Sequence, residues 1–181
     1  MMNTKDIVYI ALFAALMAGL GFVPAITIPS IGVPVTAQSL GIMLAGGILG
    51  AKRGALSIVL FLVLVAVGLP LLAGGRGGLG VFSGASGGFL LGWIAAAYAV
   101  GYIVEKYWNK LNIISAAGAC ILGGVVLLYA IGIPWVTVAA SIPFMKALMG
   151  SLAFIPGDLI KAVFASAVIV AVKNQYPLIS K

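Results

Sequence analysis

Residues 74–88 read GGRGGLGVFSGASGG: eight of the fifteen are glycine, and the single charge is Arg76. Long apolar runs flank the stretch, Gly54 to Ala73 before it and Phe89 to Val104 after. Glycine at this density allows positive φ and close backbone approach, at an entropic cost for each residue. Such a segment is either a flexible link between two membrane spans or is held down by something it touches. The lone guanidinium points to a polar or anionic contact. The nature of the flanking runs decides the fold.

Composition identifies those runs as membrane spans. Of 181 residues, 64% are hydrophobic and 7% are charged, and the mean hydropathy is +1.28. A water-facing surface normally takes about 25% charged residues, so residues 1–181 read as one all-α integral membrane domain. The net charge of +7 comes from lysines and arginines scattered in ones and twos. They act as topology markers, and nothing resembles a nucleic-acid surface. Histidine is absent and Cys120 stands alone inside an apolar run. That removes disulfides, cysteine–histidine metal sites and the usual near-neutral proton relay. No cofactor is expected.

A helical pass needs about 20 apolar residues. The charge-free chain between Asp6 and Lys52 holds two, broken by Pro24, Pro29 and Pro34. Each proline disfavours helix for itself and its predecessor, so 27–36 is expected to be extended or hairpin-like. The run from Ile7 to Ile26 exceeds the usual 7–15-residue apolar core of a signal peptide and reads as a retained first helix. Six transmembrane helices follow, at about 7–23, 37–50, 54–69, 88–104, 113–133 and 156–172, with outer loops at 24–36, 70–87 and 134–155. The second is short for a span, hence tilted, buried or extended. The proline-punctuated 134–151 reads as a loop with a short interfacial helix. PGDLIK, residues 156–161, has proline and an acid in the first helical turn, where both are favoured.

Charge tests this topology. Lys5, Lys52, Arg53, Lys106, Lys110, Lys173 and Lys181 fall on one side, while Arg76, Lys146 and Lys161 fall on the other. That bias places both termini in the cytoplasm. Asp158 is the only acid on the opposite side, and Lys161 shares its helix face at i+3. Ionisable groups at membrane depth are costly and usually face a cavity, a partner or a pathway, although a structural ion pair has the same spacing. With Arg76 they supply one acceptor and two cations, suited to a small ligand bearing N–H donors and an anionic group. Lys146 reads as a snorkelling lysine.

Other patterns exclude functions. Gly75, Gly77 and Gly80 fit G-x-G-x-x-G, but between membrane helices and without the following acid the match has no mechanism. There is no GxxxxGK[ST], so the chain is not its own P-loop ATPase, and no H-E-x-x-H or aspartate pair marks an intramembrane protease. Ser–Lys catalysis stays open, with no serine singled out. Ala11, Ala14, Ala15 and Ala18 set small residues four apart, which serves either internal packing or docking of another membrane protein.

Three blocks together resemble the BioY family, the biotin-specific substrate-binding (S) components of energy-coupling factor transporters. They are IPSIGVPVTAQSLGIMLAGGILG (28–50), GLPLLAGGRGGLGVFSGASGGFLLGW (68–93) and IPGDLIK (155–161). The resemblance covers nearly the whole chain. Ala85–Ser86 departs from it, since many members have Pro–Thr there. It implies a six-helix bundle in the plasma membrane that binds biotin at the extracytoplasmic side beneath a lid formed by 27–36. It also implies docking through Ala11 and Ala15 to a transmembrane coupling (T) subunit, with two ATPase subunits driving reorientation and inward release. Biotin carries a ureido group, an apolar bicycle and chain, and a carboxylate. Asp158 is therefore expected to accept from a ureido N–H, with Lys161 donating to the ureido oxygen or orienting Asp158. Backbone N–H groups at Gly77, Gly78 and Gly87 would assist, Arg76 would sit near the carboxylate or its own loop, and Gln38 is a further polar candidate. Three other functions fit the residues alone. They are a self-sufficient secondary transporter or facilitator with Asp158 proton-coupled, the same fold with another vitamin, and an assembly subunit.

Overall fold

The structure, a computed structural model, describes residues 2–28 and 30–179. Pro29 and Lys181, used above in the loop and charge arguments, lie outside the described residues. The chain is a helical bundle built around one short helix, α2 (Gln38–Leu49), of which every residue except Leu40 is buried. Its glycines make this possible. A Cβ on Gly46 would collide with the Ala97 carbonyl of α5 (Gly87–Lys106), and one on Gly47 would collide with Ile169 of α9 (Ile155–Gln175). Small residues at such crossings let helix backbones close on one another where water supplies no driving force. A 12-residue helix is too short to span alone, and it resolves as the buried option among those the sequence left open.

α1 (Thr4–Gly21) begins at a capping box. Asn3 Oδ1 accepts from the Asp6 amide at 2.9 Å, and Asp6 Oδ2 accepts from the Asn3 amide at 3.0 Å. An antiparallel hairpin follows, β1 (Ile26–Ile28) with β2 (Val33–Val35). Gly32 sits in its turn at φ +66°, a conformation that L side chains rarely adopt. α3 (Ala51–Ala66) starts one residue after α2 ends, across Gly50 at φ +85°. Lys52 and Arg53 therefore lie in its first turn, and α3 stops three residues short of the expected Leu69.

Among the described residues, four helices are long and apolar enough to cross a membrane: Thr4–Gly21, Gly87–Lys106, Ile113–Ala139 and Ile155–Gln175. Two expectations are corrected here. The fifth helix does not end at Ile133. It runs as α6 (Ile113–Ile121), a π turn (Leu122–Leu127) and α7 (Leu128–Ala139), with Pro134 inside α7. Proline removes one backbone bond but keeps a helical φ, and burial of Val136 holds the helix beyond it. The loop at 70–87 is likewise partly helical, at α4 (Gly80–Ser83), while 134–155 carries a short helix, α8 (Phe144–Leu152). α8 buries Ala147 and Ser151 and exposes Phe144, Met145 and Met149, in keeping with a short interfacial helix.

Candidate ligand-binding site

Asp158 lies in the first turn of α9 and is 4% exposed. Its Oδ1 accepts from Lys161 Nζ and from Ser39 Oγ, each at 2.9 Å, and its Oδ2 accepts from Tyr129 Oη at 2.6 Å. A buried carboxylate is tolerated only when paired and hydrogen-bonded, and three elements supply the partners: α9 itself, α2 and α7. Lys161 Nζ also donates to Ser39 Oγ at 2.8 Å and to the Thr36 carbonyl at 2.7 Å. An ammonium has three donors, so all of them have partners inside the protein. Lys161 thereby orients Asp158 and ties it to the residue that follows β2.

These groups open onto one partly open cavity. Val33 to Thr36 of the hairpin form one wall and Phe89, Trp93, Tyr129 and Phe154 form another. Phe89, Tyr129 and Phe154 meet edge to face, with centroids 6.0–6.5 Å apart. Apolar walls with a few converging polar groups are the usual form of a small-molecule site. Arg76 and Ser86 stand on the same lining. The Arg76 guanidinium donates from Nε to the Ala73 carbonyl at 3.3 Å and reaches Ser86 Oγ at 3.5 Å. It has no carboxylate partner among the described residues. Burial holds it below the usual guanidinium range, yet an arginine stays protonated. The cavity thus has an acceptor at Asp158 and an unpaired cation at Arg76.

The structure therefore brings Asp158, Lys161 and Arg76 together. Gln38 lines the same space, but both of its N–H donors are committed and its oxygen already accepts one bond. Nε2 donates to the Met17 and Leu71 carbonyls at 3.0 and 3.1 Å, and Oε1 accepts from the Ala73 amide at 3.1 Å. It joins α1, α2 and the loop that carries Arg76. Gly77, Gly78 and Gly87 are not among the residues that line the cavity. Gly77 packs on the Leu69 carbonyl and Gly87 on Phe82 and Trp135, while Gly78, at φ +85°, donates to the Val65 carbonyl at 2.7 Å. Trp135 Nε1 in turn donates to the Gly84 carbonyl at 3.0 Å. The glycines fold the loop onto its own scaffold, so that Arg76 and Ser86 alone of it reach the cavity.

Ser39 and Tyr129 went unread in the sequence. Ser39 adjoins Gln38 at the head of α2, and Tyr129 is one polar atom in a long apolar run. On α1, Ala14 is buried, whereas Ala11, Ala15 and Gly19 are exposed along one outward stripe.

A helical membrane protein with a ligand cavity at one end is the class this architecture defines. The BioY family pattern matches residues 1–178, and the chain belongs to that family. A biotin transporter BioY of Rhizobium etli is 49% identical, the alignment covering 98% of each chain. One of Lactococcus lactis subsp. cremoris is 36% identical over 96% of this chain and 93% of its own. The crystal structure of an S-component for biotin from an ECF-type ABC transporter superposes with a TM-score of 0.92 at 35% identity, covering 98% of this chain and 97% of that one.

Proposed function

We propose that this chain is the biotin-binding S component of an energy-coupling factor importer, capturing biotin at the extracytoplasmic side of the plasma membrane. The observation that carries the reading is the polarity of the cavity, with the Asp158 acceptor and the unpaired Arg76 guanidinium set in aromatic walls. A ureido N–H fits Asp158, the bicycle and chain fit Phe89, Trp93 and Phe154, and the carboxylate fits Arg76. In this reading Lys161 acts by orienting Asp158, Gln38 by positioning the Arg76 loop, and Gly77, Gly78 and Gly87 by shaping it.

The reading includes six passes with both termini cytoplasmic. Arg53 contacts Asp6 and the Leu178 carbonyl, Glu105 accepts from the Ala51 amide, and Lys173 donates to the Leu111 carbonyl. These contacts gather residues near Lys5, Lys52, Lys106 and Lys110 at the end away from Asp158, as the positive-inside bias requires. The α2–α3 pair then counts as two passes, the shorter one sheltered in the bundle. The partners are a transmembrane coupling subunit, docked on the outward Ala11 and Ala15 face, and two ATPase subunits. A biotin titration of the purified chain in detergent tests the function. Saturable binding is expected, and no binding at micromolar biotin overturns it.

A further inference from the structure

An ionised carboxylate offers about four acceptor positions. At Asp158, Ser39 and Lys161 occupy Oδ1 and Tyr129 occupies one position on Oδ2. One position on Oδ2 is left. Tyr129 gives its only hydroxyl hydrogen to Oδ2, so its oxygen is left as an acceptor, and no donor among the described residues reaches it. The two oxygens lie 2.6 Å apart, and both residues are on the cavity wall. A single N–H directed between them meets two acceptors at once. Accepting that bond polarises the Tyr129 hydroxyl and strengthens its own bond to Asp158.

The backbone sets this meeting. Between α6 and α7 the chain makes a π turn over Leu122–Leu127. Such a turn holds one residue more than an α turn, and each residue in an α-helix advances about 100°. Without the extra residue, Tyr129 would be turned away from Asp158 by about that angle. Gly123 and Gly124 let the widened turn sit against Val100 and Met43. π turns are rare and concentrate at functional sites.

The geometry points to Tyr129 as a specificity-determining residue that, with Asp158, reads one ring N–H of the ligand and requires that nitrogen to be unsubstituted. The inference rests on the biotin reading above. A cyclic urea directs its two N–H bonds away from each other, so this acceptor pair takes one of them.

The test titrates biotin and its two mono-N-methyl ring analogues into wild-type protein and Tyr129→Phe. The phenyl ring keeps the edge-to-face contacts with Phe89 and Phe154, so the variant is expected to fold. Tyr129→Phe is expected to weaken biotin about tenfold, about 1.4 kcal/mol. One N-methyl analogue is expected to bind wild type at least tenfold more weakly than biotin, and to bind the variant no more weakly than it binds wild type. Equal losses for biotin and both analogues mark a structural role and overturn the proposal, as does unchanged biotin affinity. Should the variant not fold, wild type alone decides: two N-methyl analogues that bind as tightly as biotin overturn it. Wild type that binds no biotin removes the proposed function, whereas biotin binding indifferent to Tyr129 leaves that function standing.

Discussion

Two ion pairs stand at opposite ends of the bundle, and their surroundings separate them. Arg53 pairs with Asp6 at 3.1 Å, with side chains 23% and 20% exposed, and its other nitrogens donate to the Leu49 and Leu178 carbonyls. Every nitrogen of that guanidinium holds a piece of backbone or the acid, so the pair fastens the two terminal segments to α3. Lys161 and Asp158 pair at 2.9 Å, with side chains 18% and 6% exposed. There the lysine is saturated, but the acid keeps one acceptor position facing a cavity. Sequence spacing points to the second pair alone, at i+3, whereas the first joins residues 47 positions apart. Asp6 also has acceptor positions to spare, so what sets the second pair apart is where its spare position lies: on a carboxylate 6% exposed beside aromatic walls, against one 20% exposed at the other end.

The largest effect should follow from breaking the Lys161–Asp158 pair. Asp158→Asn and Lys161→Ala are each expected to weaken biotin binding at least tenfold, about 1.4 kcal/mol, by calorimetry. Lys161→Ala should also lower stability by about 3–5 kcal/mol, because it strands a buried carboxylate. Unchanged affinity in both would reduce the pair to another fastening. Arg76→Gln should lower biotin affinity by about tenfold, in the range of a lost charged hydrogen bond. It should leave the affinity for biotin methyl ester nearly unchanged, and an equal loss for the ester would detach Arg76 from the carboxylate. The smallest effect on binding belongs to Arg53→Gln. Affinity should not move, while stability falls by about 1 kcal/mol in thermal unfolding, as partly exposed pairs contribute little. A loss of affinity there would erase the contrast.

Much of the fold was legible because membrane helices announce themselves by length, charge bias and proline. The 27–36 hairpin and the first turn of α9 followed from Pro34, Pro156 and Asp158. The π turn did not, since LGGVVL has the composition of any membrane helix. Missing that turn hid Tyr129, whose hydroxyl faces Asp158 only after the added residue. Gln38 shows the opposite failure. Its chemistry was visible, but its three backbone bonds depend on residues 21 and more positions away. The glycine-rich stretch was read as backbone laid against a ligand, yet close approach there serves Leu69, Phe82 and Trp135. A glycine signals proximity without naming the neighbour.

The three tryptophans are distributed in a way that makes the chain its own optical sensor. Trp93 stands in the cavity wall and Trp135 grips the loop that carries Ser86, while Trp108 lies at the far end beneath the Lys173 ammonium, 5.6 Å from its ring centre. Filling the cavity should change the surroundings of the first and leave the third as an internal standard. Intrinsic emission is therefore expected to follow occupancy without a label, as a saturable change on biotin titration that Trp108→Phe preserves.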